Sequence, residues 1–284
     1  MKIGITEKGV MHTDPDEFDL DTRFRMVAES GVYDYYDKTP EDPALVDAYL
    51  AASEKHGLPV RAGGWFYLLG RDETLLKEKL ELSARLGSVV HNTQILSKRA
   101  DGHFVTNDEV VAMYLQAYEW GDACGCYPTF EVHINMWSED FRRVNEVADA
   151  VEARGVPFRM TLDHSHVIFK IDNPEEQKVF DIASAVASGE LVLDPFRAGS
   201  VCQQWIDRGL VQHAHARAAV PNNPLNTAYS GKDGAPGRGV QYPFFEPAEG
   251  QYVVPWDGTR LEPWKEVVRQ LFAYHAANES SPLG

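Results

Sequence analysis

Short apolar runs alternate with longer stretches whose apolar residues recur every three or four positions, and the alternation continues through most of the chain. Runs near 2–6, 31–36, 59–67, 88–95, 127–134, 158–163 and 209–217 predict strands. The stretches between them carry helix punctuation. Thr106-Asn-Asp-Glu109 is a capping box, Asn173 with Pro174 gives an N-cap followed by proline at the first helical position, and Ser138-Glu-Asp precedes an amphipathic run. Gly57, Gly87 and Gly155 stand where helices should stop. Phe141, Val144, Ala148 and Val151 repeat at helical spacing and predict a face that covers a sheet. Strand and helix in regular succession is the pattern of βα units around a parallel sheet.

The rhythm breaks between about 218 and 258, where Pro221, Asn222, Asn223 and Pro224 are followed by Gly231, Gly234, Pro236, Gly237 and Gly239. This predicts a long loop after the seventh strand, on the side where barrels carry their active sites. Its aromatics Tyr229, Tyr242, Phe244 and Phe245 argue against a disordered insertion. A last helix follows, with Leu261, Trp264, Val267, Val268, Leu271 and His275 along one face. The eighth strand of a closed barrel has no assigned stretch. A missing segment, a second subunit, or residues 251–254 would have to supply it.

A chain of 284 residues suits one α/β barrel, which commonly takes about 250 residues in a single domain. The expectation is therefore one barrel over 1–284 with an inserted loop at 218–258. Hydrophobic residues at 44% and charged residues at 25% place it among folded globular chains, and no apolar run approaches the roughly 18 residues of a membrane span. The 27 Lys and Arg against 43 Asp and Glu leave a formal charge of −16, which repels phosphate backbones and excludes nucleic acid as a partner. Cys124, Cys126 and Cys202 are odd in number and wrongly spaced for a thioredoxin or zinc-knuckle pair, so they read as reduced thiols. Lys2-Ile3-Gly4-Ile5-Thr6 enters a strand pattern at once, without a basic-then-apolar leader. A cytoplasmic enzyme is the expectation.

Three segments carry candidate chemistry. In Phe130-Glu131-Val132-His133, period-two geometry points Glu131 and His133 to one face at the end of the fifth strand. A buried carboxylate beside an imidazole is costly unless paired or bound to a cation. Leu162-Asp163-His164-Ser165-His166 ends the sixth strand, with Asp163 at the tip as a ligand and His166 reaching over the pocket. In Gln212-His213-Ala214-His215-Ala216-Arg217, the alanines suit packing behind the seventh strand while His213, His215 and Arg217 line the interior. Taken singly, each segment also fits a paired Glu–His contact, an Asx turn or a solvated strand end. Together, oxygen and imidazole donors at successive strand ends suit Mn²⁺, Mg²⁺, Co²⁺ or Zn²⁺.

A strand-end Glu, then Leu-Asp-x-x-His, then His-x-Arg on the next strand resembles the sugar isomerase/epimerase superfamily of xylose isomerase-like TIM barrels. The resemblance covers roughly 1–277 in architecture, but only these three short motifs are specific. It implies that Glu131, Asp163 and His215 ligate a divalent cation, Mn²⁺ first among the choices, and that His166 contacts metal-bound water or substrate. Arg217 would steady an oxyanion. Trp65, Phe66 and His91, with His213, would form pocket walls for a small carbohydrate, and Glu131, His133 and His166 would share the proton traffic. The family's fourth ligand, a Glu on the eighth strand, has no counterpart here except Glu246, in Pro243-Phe244-Phe245-Glu246-Pro247. The implied activity is metal-dependent isomerisation or epimerisation of a sugar or keto-sugar by proton abstraction next to a carbonyl. Elimination or hydrolysis of a keto-glycoside on the same scaffold, or a non-catalytic barrel subunit, are the competing readings. A homo-oligomer or second subunit completing the barrel is the macromolecular partner that the absent strand suggests.

Overall fold

Each of the seven expected runs forms a strand, trimmed or shifted at its ends. The computed structural model describes residues 1–6, 18–224, 226–230, 236–238, 242–250, 252 and 254–278. The strands are β1 (Gly4–Thr6), β2 (Tyr35–Asp37), β3 (Val60–Tyr67), β4 (Val90–Ile95), β5 (Tyr127–Val132), β6 (Met160–Asp163) and β7 (Val211–His215). They lie side by side in chain order, every neighbouring pair parallel. The longer helices are α1 (Leu20–Ser30), α2 (Val46–His56), α3 (Glu73–Arg85), α4 (Asn107–Cys124) and α5 (Arg142–Glu152). Four short ones follow, α6 (Ser165–Ile168), α7 (Pro174–Lys178), α8 (Ala183–Ser188) and α9 (Val201–Asp207), and then α10 (Glu262–Ala277). The sheet curls until Asp37 at the end of β2 stands 3.1 Å from His213 on β7. It is an incomplete (β/α) barrel of the TIM type.

Local signals explain most helix ends. Thr106 and Glu109 form the expected capping box at the start of α4, Asn173 caps α7 ahead of Pro174, and Gly57 closes α2 in the left-handed conformation at φ 62°. Ser138 behaves otherwise. Its segment forms a single 3-10 turn, α5 begins only at Arg142, and the Ser138 hydroxyl donates instead to the Glu131 carbonyl at 2.6 Å. The predicted apolar face of α5 is buried at Val144, Ala148 and Val151, with Phe141 just ahead of it.

Among the described residues no eighth strand joins the sheet. Asn226–Ser230 and Pro236–Gly237 form a separate antiparallel pair, β8 and β9, inside the expected loop. Residues 251 and 253 of the reassignable stretch lie outside the described residues. No described helix is long and apolar enough to cross a membrane, and the three cysteines are free.

Strand alternation separates an apolar outer layer from a polar interior. Phe130, Val132, Met160, Leu162 and Val211 pack into the main helix-covered core, and Tyr36 stacks on Phe24 of α1 at 4.4 Å between ring centroids. Thr129, Glu131, Thr161 and Asp163 take the other face. Two bulges keep this parity across the sheet. Tyr36 and Asp37 pair with Val60 and Ala62, so Arg61 is the extra residue of β3; Met160 and Thr161 pair with Val211 and His213, so Gln212 is the extra residue of β7. Without the second bulge, Ala214 instead of His215 would stand beside Asp163.

Gly64 is required by close approach. A Cβ there would come within 2.6 Å of the Asn92 carbonyl oxygen and 2.8 Å of Asn92 Cβ. Gly64→Ala therefore pushes β4 outward, and should lower stability by about 1–3 kcal/mol, the usual cost of overpacking. Urea denaturation checks this, and an unchanged midpoint would show that the strands separate freely.

Candidate metal centre

The curled sheet brings Glu131, Asp163 and His215 together at the carboxyl ends of β5, β6 and β7. One donor atom from each lies within 4.8 Å of the others. Glu131 is 1% exposed and Asp163 4%, so their charges must be met inside the protein. Glu131 Oε2 accepts from Asn92 Nδ2 at 2.7 Å and from Gln94 Nε2, while its Oε1 stands 3.1 Å from His215 Nδ1. Asp163 Oδ1 accepts from the Ser165 amide at 3.1 Å and from the Ser165 hydroxyl. Arg217 Nη2 donates to Asp163 Oδ2 at 3.2 Å and to His166 Nε2 at 2.6 Å.

A second trio, Asp37, His213 and His215, shares the histidine and has donor atoms within the same 4.8 Å. Asp37 Oδ2 lies 3.1 Å from His213 Nε2 and 3.6 Å from His215 Nε2. His215 is therefore flanked by Glu131 on its Nδ1 side and Asp37 on its Nε2 side.

Titration follows from these contacts. Burial pushes Glu131 upward, but the charge and hydrogen bond of His215 outweigh it and hold the carboxyl at about 2. Burial likewise opposes the charge of Asp37 and Asp163, yet His213 and His215 draw the first below the usual carboxylate range, and His166 and Arg217 draw the second well below it. His215 is raised well above an ordinary imidazole: burial lowers it, and the Glu131 charge, the close Asp37 carboxylate and the contact with Glu131 more than reverse that. His166 is pushed down to about 4 by burial, so it is neutral at pH 7 and accepts from Arg217. The His133 ring lies 4.0 Å from that of His166, and its Nδ1 stands 2.7 Å from the Ile134 carbonyl. A carbonyl only accepts, so His133 Nδ1 bears the hydrogen and the neutral ring has a bare Nε2.

The remaining expected site residues divide by strand parity. Phe66 shares its register with Gln94, stands at the mouth and is 45% exposed. His213 sits one layer deeper, 3.4 Å from the Thr161 hydroxyl. His91 faces the helices, locked between the Tyr67 hydroxyl at 2.6 Å and the Ser83 hydroxyl at 3.0 Å, and burial takes it down to about 3. Trp65 has the same parity and lies 5.6 Å beneath the Lys79 ammonium of α3. Neither joins the cluster, and Glu246 is exposed and does not converge with it. Asp37, Asn92 and Gln94 were not anticipated. The signal for the last two was the alternation of β4, whose inward set is Asn92 and Gln94 and not His91; for Asp37 it was the acid one residue beyond the predicted end of the second strand.

A buried ion network stands beside the mouth. Lys170 Nζ donates to Glu139 Oε1 at 2.9 Å, both side chains fully buried, and Arg238 from the post-β7 loop donates to Glu139, to Glu176 and to Asn135 Oδ1 at 3.0 Å. This ties the loop to the segment that follows His133.

No family model matches the chain, and no curated protein sequence matches it. Solved structures do. The apo 3-keto-D-glucoside 4-epimerase YcjR from E. coli is 14% identical, with 78% of this chain and 80% of that one superposed at a TM-score of 0.51. A D-allulose 3-epimerase from Methylomonas sp. is also 14% identical, with 77% and 74% covered and a TM-score of 0.50. The chain thus has the fold of the xylose isomerase-like sugar epimerases. Within it, the cluster occupies the barrel's carboxyl end, where that class of fold places its chemistry.

The network beside the mouth allows a test of the local electrostatics. Burial raises Glu139, but Arg238 and Lys170 hold it below its ordinary value near 4.5. Its stabilisation is therefore complete above that pH and is lost as the pH falls through the lowered value. Glu139→Gln should cost about 1.5–3 kcal/mol at pH 7, the worth of a charged hydrogen bond, because Lys170 keeps the Glu176 carboxylate at 3.3 Å and the Glu176 carbonyl at 2.8 Å but loses its shorter ion pair, and the difference from wild type should shrink below pH 4.5. Urea denaturation across pH 3–8 checks both; a pH-independent difference would assign the loss to packing.

Proposed function

We propose that the chain is a divalent-metal-dependent isomerase or epimerase of a sugar or keto-sugar, acting by proton abstraction next to a carbonyl. The observation that carries the reading is the convergence of Glu131, Asp163 and His215 to within 4.8 Å of one another, with the His133 ring 4.0 Å from that of His166, which itself stands 3.3 Å from Asp163. Two carboxylates and one imidazole in a buried setting fit a hard-to-borderline cation, Mn²⁺ first and Mg²⁺, Co²⁺ or Zn²⁺ as substitutes. When bound there, such an ion supplies Lewis acidity toward adjacent hydroxyl and carbonyl oxygens of the sugar.

The chain's own residues divide the remaining work. Asn92 and Gln94 fix Glu131 so that Oε1 faces the cluster. A carboxyl held at about 2 is a weak base, so the proton role shared at the sequence level passes from Glu131 to His133. His133 Nε2 removes the hydrogen from carbon and returns it, while Ile134 and Ser138 hold its ring and backbone in place. Arg217, already beside Asp163, presents positive charge to a developing oxyanion. His166, neutral against Arg217, donates to or accepts from a substrate hydroxyl. Phe66 offers an apolar surface at the mouth to the face of a sugar ring.

Incubation of the Mn²⁺-loaded protein with keto-sugars in deuterium oxide tests this by NMR. The expected result is deuterium at the carbon next to the carbonyl in a product that retains every substituent. Release of a leaving group would assign the site to elimination instead, and the absence of both exchange and turnover would contradict the proposal. Glu131→Gln and His215→Ala should lose bound metal while keeping the fold by circular dichroism. His133→Asn should keep the metal and lose about 100- to 10,000-fold in turnover, the range of a general base.

A further inference from the structure

We infer that Asp37 is the carboxylate that sets the tautomer of the metal-binding histidine, accepting the Nε2 hydrogen of His215 so that the Nδ1 lone pair faces Glu131 and Asp163. The inference rests on the metal reading above and adds a residue that lies outside the resemblance's ligand set. Its basis is the position of His215, which has Glu131 Oε1 3.1 Å from Nδ1 and Asp37 Oδ2 3.6 Å from Nε2, so that the two carboxylates sit on opposite edges of one ring. A neutral imidazole has one N–H and one lone pair. Whichever nitrogen binds the cation, the other must donate; Nδ1 is the nitrogen beside Glu131, whose carboxylate converges with Asp163 and His215 to within 4.8 Å. Asp37 is 8% exposed at the end of β2, held in the barrel's interior by the Arg61 bulge, and its position answers to the one nitrogen that the cation does not need.

The same atoms also outline a second cation site of two imidazoles and a carboxylate, since His213 Nε2 is buried, lies 3.1 Å from Asp37 and makes no well-aligned hydrogen bond. Two arguments favour the single ion. Ions on both edges would require His215 to give up its last N–H and become an imidazolate. In addition, one divalent cation together with Arg217 balances the three negative charges of Asp37, Glu131 and Asp163, whereas a second ion leaves an excess of positive charge in a buried space. His213 then serves as a lower support whose Nε2 edge also faces Asp37, with Thr161 at its Nδ1.

Carboxylates behind metal-binding histidines typically govern affinity by about 10- to 100-fold. The test is titration of the chelator-stripped full chain with Co²⁺ alone, followed by NMR of the Co²⁺ protein. Wild type should bind one Co²⁺ per chain and show a hyperfine-shifted, solvent-exchangeable ring N–H. Asp37→Ala should keep the stoichiometry, weaken binding about 10- to 100-fold, and lose that resonance to exchange. Asp37→Asn keeps the shape and an acceptor oxygen, so it should fold if Asp37→Ala does not; its affinity should fall between the two and the resonance should persist. Either variant indistinguishable from wild type in both readouts overturns the role of Asp37 and leaves the metal reading standing. Two Co²⁺ per wild-type chain, with one lost in His213→Ala, overturns it in favour of a second site. A wild type that binds no Co²⁺ overturns both readings together.

Discussion

Three carboxylates, Asp37, Glu131 and Asp163, are buried within one strand layer of the same barrel, and the rest of the site is arranged around the need to balance them. Taking such groups from water costs several kcal/mol apiece unless opposite charge and hydrogen bonds accompany them. Arg217 supplies one full positive charge beside Asp163. In the metal-free protein His215, lifted well above an ordinary imidazole, supplies another between Glu131 and Asp37. One carboxylate's worth of charge remains. A divalent cation at the trio, as proposed above, would take the place of the His215 proton and contribute two charges, which would balance the three carboxylates with Arg217.

The fold delivers this arrangement through parity. Along β5, β6 and β7 every second residue enters the interior, and the Gln212 bulge brings His213 and His215 level with Thr161 and Asp163. The Arg61 bulge does the same for Asp37 opposite Ala62. The interior layer beneath the cluster is made of Thr129, Thr161 and His213, whose hydroxyls and ring bond to one another, 2.7 Å between the two threonines. These polar contacts fix strand positions that an apolar filling would leave to shape alone. On the loop side, Lys170, Glu139 and Arg238 hold the segment after His133, so His133 sits on a braced turn and not on a free end.

Much of this was legible in the residues. The seven strands, the capping box at Thr106 and the covering face of α5 follow from period-two and period-3.6 patterns read within single segments, whereas the choice of Glu131, Asp163 and His215 as one trio came from the resemblance of the three strand-end motifs. What was missed involves relations between segments. His91 and Trp65 looked like pocket walls because they sit near strand ends, but the register of β3 against β4 gives the interior to Gly64, Phe66, Asn92 and Gln94. Asp37 lay one residue past the expected strand, and its place facing β7 depends on how far the sheet curls, which no local pattern encodes. Ser138 resembled a helix cap; its Oγ accepts instead from the His133 amide at 3.3 Å while its hydrogen goes to the Glu131 carbonyl.

The most direct measurement is an anomalous-difference map from crystals of the Mn²⁺-loaded protein, with data collected at energies on either side of the manganese edge. The account predicts a single edge-dependent peak at ligand distance, about 2.0–2.3 Å, from a carboxylate oxygen of Glu131 and of Asp163 and from Nδ1 of His215. A peak on the Nε2 edge between Asp37 and His213, or no peak inside the barrel, would contradict it.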